Sequence, residues 1–229
     1  MGIAENLKRV QERIEKAALR AGRDSREIRL VAVAKGFAAE RVVQAARCGI
    51  DNFGENYAQE FREKHDFVQK AFDKKIYWHF IGRLQRNKVK HLLGRVELIH
   101  SLDKLSVAEE INKRAEKADI KVPALIEVSL AGEEEKGGIN PAQVEDFLAK
   151  LERFSLIEIR GLMAMPPLFD APEMARPYFR RLKELRDKLK QRFPNLRELS
   201  MGMSGDFEVA IEEGATIVRI GTAIFGPRL

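Results

Sequence analysis

A lysine at the end of an apolar run is the first residue in this sequence that suggests chemistry. Lys35 directly follows the run at residues 31–34, Val-Ala-Val-Ala, which has the composition of a strand buried on both faces. Burial disfavours a charged ammonium, so we expect Lys35 to favour the neutral amine, the form that attacks carbonyl groups. Taken alone, Lys35 is explained equally well as a side chain that has just reached solvent.

Two segments near the C-terminus contain the residues of a phosphate site. Ser204 is followed by Gly205, and Gly221 by Thr222, and each pair leads into a short predicted helix. Free backbone N–H groups and the helix dipole attract an anion there, and glycine lets the backbone approach it closely. The simpler alternative is two ordinary helix N-caps. Two such pairs on adjacent predicted strands favour the phosphate site.

The elements that must position these residues alternate regularly along the chain. Eight strand candidates lie at residues 29–35, 52–56, 78–82, 97–103, 124–130, 158–165, 198–204 and 216–221. An amphipathic helix precedes them and ends at Gly22. Further helices are predicted at 38–48, 106–118, 141–153 and 172–193, and Ser204 is predicted to cap a short helix that ends at Gly214. Eight β/α units in 229 residues predict one α/β domain over residues 1–229, a (β/α)₈ TIM barrel with an extra N-terminal helix.

Closure of this barrel would bring the lysine and the phosphate site together. Strand 8 pairs with strand 1 in a closed barrel, so Lys35 and Gly221 should meet at one rim. An amine beside an anion site is what pyridoxal 5′-phosphate (PLP) requires, and we therefore predict PLP bound covalently to Lys35 as an aldimine. Arg219 shares a strand face with Gly221 and could point into the same mouth.

The composition excludes several other classes of site. Lysine and arginine total 41 against 35 acidic residues, a net charge of +6 that could indicate nucleic acid. The densest basic run, at 83–91, lacks interleaved aromatic residues, so we interpret it as a solvated surface. Cys48 is the only cysteine, which fits a reducing, cytoplasmic location. The four histidines form no metal-binding motif, and no apolar run is long enough for a membrane span, so we expect neither.

Several motifs together are recognisable. They lie at residues 32–35, 53–56, 78–88, 161–163, 199–204 and 218–226. On these segments the chain resembles the PLP homeostasis protein family, also described as proline synthetase co-transcribed proteins, which are similar to the N-terminal barrel of alanine racemase. The resemblance covers nearly the whole chain. It departs from the family pattern at Ala34 and Gly36, which flank the lysine, and at Ser129, where asparagine is expected.

The resemblance also implies roles for individual residues around PLP. It implies the Schiff base at Lys35, phosphate contacts at Ser204, Gly221 and Thr222, the pyridine nitrogen partner at Arg219, and further cofactor contacts at Asn56, His79 and Met203.

The function that this implies is PLP homeostasis, meaning storage, buffering or delivery of PLP, without strong catalytic turnover. Apo forms of PLP-dependent enzymes are candidate acceptors, and a monomer is expected. Alanine racemase takes a second base from a tyrosine of another domain, which we do not expect here because eight residues follow Gly221. Two alternatives stay open: a PLP-dependent amino-acid racemase, and a basic barrel that binds nucleic acid or a phosphorylated ligand without PLP.

Overall fold

The eight predicted strands close into a barrel. The computed structural model describes residues 2–131 and 137–227, so the outermost residues of the predicted domain (1 and 228–229) lie outside it. The strands are parallel and in sequential order, and β8 pairs with β1 to complete the ring. Their bounds are β1 Arg29–Val33, β2 Asn52–Glu55, β3 Tyr77–Phe80, β4 Leu98–Leu102, β5 Val122–Glu127, β6 Ile157–Met163, β7 Glu198–Ser200 and β8 Ile217–Ile220. The predicted (β/α)₈ barrel is confirmed.

Helices cover the outside of the barrel. Their bounds are α1 Ile3–Arg20, α2 Ala39–Arg47, α3 Ala58–Ala71, α4 Leu105–Ala118, α5 Val144–Leu151, α6 Arg176–Leu189, α7 Phe207–Glu212 and α8 Thr222–Phe225. The extra helix α1 buries an apolar stripe that includes Ile3, Leu7, Val10 and Ile14, and it packs against α7 and α8. Within the described ranges, no helix combines the length and apolar character needed to cross a bilayer.

The predicted capping role of Ser204 is wrong. The residue before α7 is Asp206, and the helix begins at Phe207. The Asp206 carboxylate accepts the Met203 N–H at 2.6 Å, which closes a turn before the helix starts. The Ser204 hydroxyl is thereby directed to the next loop, where it accepts N–H bonds from Gly221 and Ala223.

Two buried layers position the mouth of the barrel. One apolar cluster contains one residue each from five strands, namely Val31, Leu98, Leu125, Met163 and Ile217. Because side chains alternate along a strand, these fill the interior, while the larger apolar cluster lies between strands and helices. Gly82, after β3, permits a close approach of two strand ends, since a Cβ there would lie 2.1 Å from the Asn56 carbonyl oxygen.

Candidate functional site

A cavity of about 370 Å³ opens at the carboxyl ends of the strands, a volume that suits a small organic ligand. Its walls come mainly from the ends of β1, β2, β7 and β8 and from the segment between β6 and α6. Seven of the eight predicted site residues line it: Lys35, Asn56, Met203, Ser204, Arg219, Gly221 and Thr222. His79 is the exception. Alternation along β1 and β8 therefore brings Lys35, Arg219 and Gly221 to one mouth.

One end of the cavity has the geometry of an anion cradle. The Ser204 hydroxyl oxygen lies 3.3 Å from the amide nitrogens of both Gly221 and Ala223 and joins the β7–α7 loop to the start of α8. Within residues 2–131 and 137–227, the Gly205 and Thr222 N–H groups have no acceptor. Backbone N–H groups that converge at the start of a helix favour a bound anion.

Arg219 forms the deeper, cationic part of the wall. Its side chain is 4% exposed. Nη1 donates to the Ser200 hydroxyl at 2.5 Å, and Nη2 donates to the Ala164 carbonyl at 3.1 Å. Burial lowers the pKa of Arg219 to about 10, while Glu127 and Asp206 oppose that shift. The guanidinium is therefore still charged at neutral pH.

Asn56 supplies an acceptor that lacks a donor. Its Oδ1 atom is buried and has no hydrogen-bond partner, although the residue lines the cavity. A buried, unpaired amide oxygen costs about 1–3 kcal/mol, which a ligand with a donor group could offset.

His79 lies inside the barrel, away from the cavity wall. It is fully buried, and both ring nitrogens already have partners: Nε2 lies 2.8 Å from Asn52 Oδ1, and Nδ1 lies 2.9 Å from His100 Nε2. Burial lowers the pKa of His79 to about 3, with a smaller contribution from Arg29. In this structure His79 has no free ring nitrogen for a ligand.

A buried cluster beneath Lys35 was not predicted from the sequence. Lys64, on α3, is 5% exposed and donates to three acceptors. These are the Ala34 carbonyl at 2.6 Å, Glu55 Oε1 at 2.7 Å and Glu60 Oε1 at 2.6 Å. The same Glu60 oxygen accepts the Gly36 N–H at 2.6 Å. The cluster therefore holds the backbone on both sides of Lys35.

Two opposing effects set the pKa of Glu55 in this cluster. Burial raises the pKa of Glu55 to about 7, and the nearby Lys64 opposes the shift. Glu55 Oε2 is buried without a partner.

The sequence signal for the cluster was the spacing of Phe61, Lys64 and Val68, which places a lysine on the apolar face of α3.

Comparison with known proteins identifies the family. The family model for the alanine racemase N-terminal domain matches residues 3–228. A "Pyridoxal phosphate homeostasis protein" from Aquifex aeolicus is 49% identical over 229 residues, covering 100% of this chain and 99% of that protein. The chain belongs to the pyridoxal phosphate homeostasis protein family. This confirms the resemblance noted from the sequence motifs.

Solved structures agree with that membership. PipY of Synechococcus elongatus, solved with PLP bound, has a TM-score of 0.84 and 32% identity, covering 98% of this chain and 100% of PipY. An alanine racemase of Clostridium difficile has a TM-score of 0.75 at 13% identity, covering 96% of this chain and 59% of the racemase chain. The racemase likeness shows a shared fold.

Among the residues that the structure describes, no group of three or more His, Cys, Asp or Glu side chains could hold a metal ion.

Proposed function

We propose that this chain binds PLP in the cavity, with Lys35 as the covalently bound amine, and that it stores, buffers or delivers the cofactor. The observation that carries the proposal is one cavity lined by Lys35, Arg219 and the Ser204–Gly221 cradle. PLP bound to PipY, a family relative, supports it.

The residues present fit the chemical groups of PLP. The cradle formed by Ser204, Gly221 and Thr222 suits the phosphate, and the Arg219 guanidinium suits an acceptor nitrogen because it only donates hydrogen bonds. The orphaned Oδ1 of Asn56 suits a hydroxyl donor. PLP supplies an aldehyde and an electron-withdrawing ring. Lys35 would supply the amine for this aldehyde, and their condensation would release one water molecule.

The cavity is poorly equipped for racemisation. That reaction needs an acid–base group on each face of the substrate Cα–H bond, and losing one such group typically costs about 10²–10⁴-fold in rate. The described wall includes Lys35 and the carboxylates of Asp170 and Asp206 but no tyrosine or histidine, and Asp206 already accepts the Met203 N–H. Arg219 keeps its own proton at neutral pH and cannot protonate a ring nitrogen, which weakens the electron sink. These features favour a carrier over an enzyme.

The remaining parts of the proposal concern where and with what the protein acts. We infer a cytoplasmic monomer that passes PLP to apo forms of PLP-dependent enzymes. The cavity that would hold PLP is open to solvent, which supports such an exchange.

The first test is the visible absorption of the protein mixed with PLP. The proposal expects a new band that Lys35→Ala abolishes and that Lys74→Ala, a change at an exposed lysine, leaves intact. A basic barrel that does not bind PLP gives no such band.

The second test separates a carrier from a racemase. The PLP-loaded protein is incubated with L-alanine or D-alanine, and the enantiomers are measured over time. The proposal expects no appreciable interconversion but transfer of PLP to an added apo-enzyme. Turnover near the enzyme median of about 10 s⁻¹ would establish the racemase instead.

A further inference from the structure

A continuous line of hydrogen bonds crosses the interior of the barrel from Arg219 to the opposite end. Arg219 Nη1 lies 2.5 Å from Ser200 Oγ, and Ser200 Oγ lies 2.8 Å from His100 Nδ1. His100 Nε2 lies 2.9 Å from His79 Nδ1. The line continues from His79 Nε2 to Asn52 Oδ1 at 2.8 Å, and from Asn52 Nδ2 to the Asp51 carboxylate at 2.7 Å.

The direction of every bond in this line is fixed by its two ends. The Asp51 carboxylate only accepts, so Asn52 presents its NH₂ group to Asp51 and its oxygen to His79. His79 must then donate from Nε2, which makes its Nδ1 an acceptor for the Nε2–H of His100. At the other end Arg219 only donates, so the Ser200 hydroxyl accepts from Arg219 and donates to His100 Nδ1.

Burial keeps both histidines in the neutral form that this direction requires. His79, His100 and Ser200 are each 0% exposed. Burial lowers the pKa of His79 to about 3, with a smaller contribution from Arg29. Burial also lowers the pKa of His100 well below its usual value, with smaller contributions from His79, Arg219 and Arg29. Each ring then has one donor and one acceptor, and each has a single matching partner.

We propose that Ser200, His100 and His79 are positioning residues for Arg219, joined in one head-to-tail hydrogen-bond chain that ends on the Asp51 carboxylate. Bonds aligned in one direction polarise one another and strengthen at low dielectric. The chain therefore orients the guanidinium in the cavity wall and couples it to a carboxylate outside the barrel.

Asp51 offers a test that spares the core, because it is exposed and lies before β2 at the end of the barrel opposite the cavity. Asp51→Ala removes the terminal acceptor, so the Asn52 amide is no longer held in one orientation. Asp73→Ala is the matched control. Asp73 is also exposed and lies before β3, so this substitution removes the same charge from the same end of the barrel.

The readout is ¹⁵N NMR of the histidine rings and arginine side chains in the unliganded, full-length protein. The proposal expects His79 and His100 both as neutral Nε2–H tautomers. It also expects Asp51→Ala to shift the His79, His100 and Arg219 signals and Asp73→Ala to leave them in place. An Nδ1–H tautomer at either ring, or equal responses to the two variants, would overturn it.

A second arm, which rests on the proposed function, measures PLP affinity. Asp51→Ala should weaken binding by about threefold, as expected for losing part of a cooperative chain, and Asp73→Ala should not. Wild-type protein that binds PLP without the NMR coupling would refute the chain and leave the PLP proposal standing. Coupled NMR signals in a protein that does not bind PLP would refute the proposed function and leave the chain standing.

Discussion

Lys64→Met should reveal how the buried cluster beneath Lys35 is maintained. The substitution keeps an unbranched side chain of similar length but removes the ammonium that contacts Ala34, Glu55 and Glu60. Glu55 is left 0% exposed without its cation. Breaking a buried ion pair in this way typically costs about 3–5 kcal/mol of unfolding free energy.

The loss should grow with pH in a defined window. In the wild type, burial raises the pKa of Glu55 to about 7 although Lys64 opposes the shift, so the variant pKa must be higher. Above pH 7 the native wild type has released the Glu55 proton, whereas the native variant retains it. The native variant then binds more protons, and its stability falls relative to wild type by roughly 1.4 kcal/mol per pH unit. We expect a loss of about 3 kcal/mol at pH 6 and about 4 kcal/mol at pH 8.

The assay is urea unfolding followed by circular dichroism at both pH values. The double variant Lys64→Met/Glu55→Gln is the control, because residue 55 then carries no titrating proton. Its loss relative to wild type should not grow from pH 6 to pH 8 but shrink by roughly 1.4 kcal/mol, since only the wild type releases the Glu55 proton in this range. A single-variant loss that is the same at both pH values, or larger at pH 6, would refute the assignment of the effect to Glu55.

Two further substitutions test the cavity wall. Gly221→Val places its Cβ in ordinary contact, 3.4 Å, with the Val33 carbonyl oxygen, so the added Cβ itself should not prevent folding. It should nevertheless weaken PLP binding at least tenfold, about 1.4 kcal/mol, by blocking the cradle; an unchanged dissociation constant in a PLP titration would contradict the cradle. Arg219→Gln should raise the pKa values of Glu127 and Asp206, since the guanidinium lowers both. Titration of the carboxyl carbons by NMR measures this shift, and a Glu127 pKa no higher in the variant than in the wild type would contradict the proximity.

The sequence predicted the barrel well because each strand is a short apolar run buried on both faces. It also predicted five of the cavity residues from the strand ends that meet at one mouth, namely Lys35, Ser204, Arg219, Gly221 and Thr222. Asn56 and Met203 were implied only by the family resemblance. Helix α3 was not predicted, because Lys64 and His65 interrupt its apolar face and both are buried there.

The polar clusters could not be predicted, since each joins elements that are distant in sequence. The Lys64 cluster connects α3 with the ends of β1 and β2. The interior chain connects β2, β3, β4, β7 and β8, and it depends on which residues of each strand face inward at the same depth. The family resemblance implied a cofactor contact for His79, whereas the structure places it below the cavity with both ring nitrogens already bonded.

Borohydride reduction followed by peptide mapping tests the central claim most directly. The protein is incubated with PLP, reduced, digested and analysed for the modified lysine. The account predicts the label on Lys35, with Lys64 unmodified because its ammonium is buried and donates to three acceptors. A label mainly on any other lysine, or no label at saturating PLP, would contradict the account.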